Sequence, residues 1–75
     1  LTLTLATASW SSNTLAITAT GVTSSNSVMV SPAPASIESY GKAGVYCSAQ
    51  GANSLTFKCT TTPTTALTVN VVILN

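Results

Sequence analysis

Hydrophobic and polar residues alternate with period two along most of the chain, the spacing of strands with one buried and one solvated face. Leu1, Leu3 and Leu5 alternate with Thr2 and Thr4, which gives a first strand one aliphatic face. The apolar phase then moves to Ala6, Ala8 and Trp10, a one-residue change that predicts a bulge or twist near Leu5–Ala6. Ser11-Ser12-Asn13 has the composition of a turn, with side chains that bond nearby backbone. A second strand over 14–22 sets Leu15, Ile17 and Ala19 against Thr14, Thr18 and Thr20. Threonine suits the outward positions because it is β-branched and still solvated. TSSNS (23–27) is the next turn, and Val28 and Val30, with Met29 pointing the other way, mark a short third strand.

SPAPA (31–35) cannot lie inside a sheet, because Pro32 and Pro34 have no N–H and a fixed φ. It is expected to run extended, near polyproline II, along an edge or across the end of the domain. Residues 36–43 have helical character: Glu38 and Lys42 stand at i,i+4, Ser36 is placed to cap a turn, and Gly41 and Gly44 end it. Val45, Cys47 and Ala49 alternate in a fourth strand and Leu55, Phe57 and Cys59 in a fifth, with Gly51-Ala52-Asn53 as the hairpin loop. TTTPTT (60–65) leads to a last strand over 66–74, with Leu67, Val69, Val71 and Ile73 on one face and Val72 and Leu74 on the other. Six strands and no helix beyond a turn or two predict an all-β domain, a small antiparallel sandwich or barrel.

Composition narrows the function. The 75 residues form one domain, since a second core becomes common only beyond about 100–150 residues. Charged residues are 4% of the chain, against about 25% in an average soluble domain, and they are only Glu38, Lys42 and Lys58. With no His, Asp or Arg, neither an acid/base dyad, nor a Ser-His-Asp triad, nor a His-based metal site can be assembled within one chain. An enzyme, a cofactor and a metal are therefore not expected. Two lysines cannot neutralise a phosphate track, which argues against nucleic-acid binding. The mean hydropathy of +0.49 is high, but the longest strongly apolar run is Val71-Val72-Ile73-Leu74, far from the roughly 18 residues of a spanning helix. No signal-peptide pattern opens the chain, which starts at Leu1 already in alternation, as expected of a processed product or a domain cut from a longer polypeptide.

A domain of this size gains barely enough from its core to offset chain entropy. With metal ligands missing and at most one disulfide, association is the expected remedy. A last strand apolar on both faces fits burial between a core and a neighbouring subunit. Sheet edges with almost no charge need covering. The expected interface comprises Trp10, Val69, Val71, Val72, Ile73 and Leu74. Trp10 serves as a core plug or inter-subunit anchor, or alternatively as a sugar-stacking platform; Tyr40 and Tyr46 share that ambiguity. If Gly51 pairs with Leu55, then Cys47 faces Cys59 and a cross-strand disulfide becomes feasible; a register shifted by two leaves buried thiols. Ligand contact, if any, belongs to the irregular segments Ser36–Lys42 and Gly51–Ser54, with Tyr40, Glu38, Lys42, Gln50 and Asn53 as the contacting set. A neutral saccharide suits that set best, and mere loop packing is the simpler account of the same residues.

The stretches ATASW (6–10), ITATGVTSSNSVMVSPAPAS (17–36), YGKAGVYCSAQGANSLTFKC (40–59) and TPTTALTVNVVILN (62–75) together cover nearly the whole chain. In their order they resemble the C-terminal domains of phage and prophage fibre-like proteins of gut Firmicutes, which often follow a collagen-like or other repetitive stalk. That resemblance implies a homotrimeric β-domain at the tip of a tail or head fibre, on the virion or an extracellular surface, that registers three chains and contacts the host. A carbohydrate-binding adhesin module, recognising a host cell-surface glycan, and a strand-exchanging filament subunit, suggested by LTLTL and LTVNVVILN at the two ends, are the alternatives.

Overall fold

The alternating segments resolve into six strands arranged as two antiparallel three-stranded sheets in the computed structural model, which describes residues 1–74. In the first sheet β6 (Leu67–Ile73) lies between β1 (Thr2–Leu5) and β3 (Val28–Pro32). In the second, β5 (Ser54–Lys58) lies between β2 (Thr14–Thr18) and β4 (Tyr46–Gly51). Both central strands carry buried aliphatic or aromatic residues at alternate positions, Leu55 and Phe57 in β5 and Leu67, Val69 and Val71 in β6. Leu5, Leu67, Val69 and Val71 from one sheet and Leu15, Leu55 and Phe57 from the other join in one buried cluster, which makes the molecule a sandwich rather than a closed barrel. Phe57, Leu5, Leu55 and Leu67 are completely buried, each worth about 1.5–3 kcal/mol relative to exposure.

The departures from the expected elements have physical causes. No bulge occurs at Leu5–Ala6; β1 ends there and a 3₁₀ turn over Thr7–Ser9 carries the chain towards the other sheet. The phase change in the sequence records that exit. Ser12 and Asn13 both take positive φ, 51° and 60°, and Ser11 and Thr14 exchange both backbone hydrogen bonds across them. This is the tight turn whose twist matches the flanking strands. β2 stops at Thr18, four residues early, because its partner β5 starts at Ser54. Beyond it, Ala19 N–H donates to Asn53 O at 2.8 Å, and Ala19 and Val22 remain buried.

Pro32 is the last residue of edge strand β3, opposite Val69, where a missing N–H is tolerated. Pro34 opens a 3₁₀ turn to Ser36 rather than polyproline II. Helix α1 (Ile37–Ala43) continues through Gly41 and ends at Gly44, whose φ of 65° is the left-handed conformation of a helix stop. Ser36 does not cap this helix; its hydroxyl accepts the Thr68 N–H at 2.9 Å and ties the turn to the start of β6.

The β4–β5 pairing contains a bulge. Cys47 lies opposite Phe57 but Ala49 lies opposite Thr56, so Ser48 is the extra residue. The expected alternation of Val45, Cys47 and Ala49 is therefore broken: Ala49 turns outward and Gln50 shares the face of Leu55. The hairpin closes with Gly51 opposite Ser54, leaving a two-residue turn with Asn53 at φ 56°.

Candidate functional site

The two segments expected to carry ligand contacts sit at opposite ends of β4. α1 precedes this six-residue strand and the Ala52-Asn53 turn follows it, so about 20 Å separates them. Glu38 and Lys42 form an exposed ion pair, 3.1 Å apart, on the helix. Tyr40 is partly buried against the core, and burial, together with the nearby Cys47 thiol, raises its phenol above the ordinary value. Gln50 and Asn53 are committed to the fold. Gln50 Nε2 donates to Thr23 O and Asn26 O, both at 2.7 Å, and to Asn26 Oδ1 at 3.1 Å. Asn53 Oδ1 accepts the Gly21 N–H at 3.0 Å, and its N–H donates to Val22 O at 2.7 Å. The set of five is thus not a site: two members pin the 21–27 loop at one end and two pair with each other at the other.

A shallow cleft of about 170 Å³ opens between α1 and the 60–65 connection, lined by Ser39, Lys42, Ala43 and residues 61–65. The helix end and this connection are joined by the Ala43 carbonyl, which accepts the N–H groups of Thr60 and Thr61 and the Thr60 hydroxyl. Threonine methyls, Pro63 and Ala43 leave the cleft chiefly apolar, with Lys42 already paired.

The cysteines are free thiols. The register that would place Cys47 against Cys59 is not the one formed; Cys47 lies across from Phe57, and Cys59 follows the end of β5 beside Asn13. Burial raises both thiols above the ordinary value, so neither is activated as a nucleophile.

The six residues expected at an interface divide. Val69 and Val71 belong to the chain's own core, and Trp10 and Ile73 pack on its margin. The Trp10 indole N–H is enclosed without a hydrogen-bond partner, at a cost of about 1–3 kcal/mol. Only Val72 and Leu74 are exposed, at 52% and 57%. Met29, 60% exposed, stands directly opposite Val72. The sequence places Met29 on the face opposite Val28 and Val30, and only the strand register shows its cross-strand partner. Tyr46, whose role the sequence leaves open, projects from the outer face of the other sheet, opposite Lys58.

Comparison with models of protein families, with curated proteins and with solved structures returns no match to this chain.

Proposed function

We propose that this chain is a structural, self-associating β-sandwich: a homotrimeric domain closing the C-terminal end of a phage fibre, on the virion or an extracellular surface. The observation that carries the reading is the apolar cluster on the outer face of the first sheet. Met29 and Val72 form a cross-strand pair there, both more than half exposed, and Leu74 follows on the same face. An exposed pair of this kind at the centre and edge of a sheet is suited to burial by another copy.

The edges support the same reading. β1, β2, β3 and β4 are all edge strands and none carries a charged side chain, so nothing electrostatic opposes association along them. Three-fold symmetry is the part contributed by the resemblance to fibre domains. Closed association is favoured over strand exchange because β1 and β6 already pair with each other, Thr2–Leu5 against Leu67–Asn70. Exchange would require opening that ladder. The test is the native mass of the purified chain, expected at about three times 7.5 kDa. A stable monomer at micromolar concentration overturns the reading.

A further inference from the structure

The outer face of the second sheet has a different character from the apolar face just described. Its rows, read across β2, β5 and β4, are Thr14–Lys58–Tyr46, Ala16–Thr56–Ala49 and Thr18–Ser54–Gly51. Two of the three rows contain only small neutral side chains, which makes a flat floor. The remaining row brings together the most exposed aromatic residue, Tyr46 at 51%, and Lys58 in directly opposed positions on neighbouring strands. The Ser48 bulge keeps Tyr46 outward beside Lys58 while turning Ala49 out to extend the floor.

Charge singles out the same place. Glu38 and Lys42 neutralise each other, which leaves Lys58 as the only side-chain charge without an opposite partner among the described residues. The net charge of +1 therefore resides, as far as side chains are concerned, next to Tyr46. An aromatic face stacks on the C–H face of a sugar ring, and an adjacent ammonium attracts an anionic substituent on that ring. Small residues around them let an extended chain lie flat without steric obstruction.

We infer that the outer face of β2, β5 and β4 binds an acidic saccharide, with a pyranose ring on Tyr46, its anionic group on Lys58 Nζ, and Thr14 and Thr56 supplying hydroxyl contacts. This ligand differs from the neutral saccharide expected of the helix and hairpin segments, and the site does not depend on the trimer. A pyranose ring that bears a carboxylate, as in a uronic or sialic acid, supplies the required chemistry.

The experiment uses immobilised sialylated and uronic-acid glycans beside their neutral parent glycans, with the wild-type chain and three variants. Binding is expected to the acidic members and to weaken as salt rises. Tyr46→Ala should lower it about ten-fold and Tyr46→Phe leave it nearly unchanged. Lys58→Met should lower it about three-fold for acidic glycans and leave neutral parents unaffected. Circular dichroism and native mass, measured on each variant, separate loss of binding from loss of fold or assembly. Absence of binding, equal binding to neutral parents, or binding indifferent to Tyr46→Ala by a folded chain overturns the inference. So does finding this face covered by a second copy in the assembly.

Discussion

Two glycines in and beside α1 have opposite requirements. Gly44 stands at φ 65°, and a Cβ there would collide with the Thr60 side chain, whose hydroxyl is held on the Ala43 carbonyl. Gly44→Ala is expected to cost about 1–3 kcal/mol, read as a fall in melting temperature. Gly41 lies in the helix with open space where a Cβ would go. Gly41→Ala is expected to stabilise by about 0.5–1 kcal/mol in the same assay, since only helix entropy changes. Cys47, Cys59 and Tyr40 all have acidities weakened by burial. Below the ordinary thiol value of 9.0 both folded and unfolded chains keep these groups neutral, so they make stability no function of pH. Above it the unfolded chain loses protons that the folded chain retains, and stability falls until the raised folded values are reached. Melting curves should accordingly be level in this contribution at neutral pH and decline above about pH 9.

At the scale of elements, the bulge in β4 and the 21–27 loop are one construction. The bulge turns Gln50 to the face of Leu55, and its amide then closes on Thr23 and Asn26. Within the loop the Thr23 and Asn26 side chains bond each other's backbone, and Asn26 Nδ2 donates to Gly21 O. Removing the Gln50 amide leaves these carbonyls without their shared donor. Gln50→Ala should therefore cost about 1–3 kcal/mol and accelerate amide hydrogen exchange over 21–27. Exchange that stays slow in that variant would show that the loop holds itself.

For the whole molecule, β6 separates the residues that hold the fold from those of the proposed interface. Val71 is buried between the sheets and Val72, the next residue, is exposed on the outer face beside Met29. Val71→Asp places an unpaired charge in the core and is expected to unfold a domain this small, at a cost of several kcal/mol. Val72→Asp should leave the folded chain intact, within about 0.5 kcal/mol, and dissociate the proposed trimer. Circular dichroism with native mass distinguishes the two. If Val72→Asp leaves the oligomer whole, the Met29–Val72 face is not its interface.

The all-β class, the six strands and most of the core are legible in the chain alone, because period-two alternation is a local property that a buried face imposes on each strand. Leu5, Leu15, Leu55, Phe57 and Leu67 each fall on the aliphatic face that alternation sets for their strand, and all are buried. It also sets Met29 on the face opposite Val28 and Val30, and Val72 and Leu74 on the face opposite Val71 and Ile73. Tertiary structure alone decided which strands are neighbours, and with that everything resting on register. The single extra residue at Ser48 moved Ala49 to the surface, gave Gln50 to the loop and set Cys47 against Phe57 instead of Cys59. A bulge of this kind leaves no local signature when the residues around it are small and neutral, as Ser48, Ala49 and Thr56 are. The apparent two-sided apolarity of the last strand had the same limit: alternation cannot tell a face turned to the second sheet from one turned to solvent. Only the packing of β6 against the opposite sheet assigned Val69 and Val71 to the core and left Val72 and Leu74 exposed.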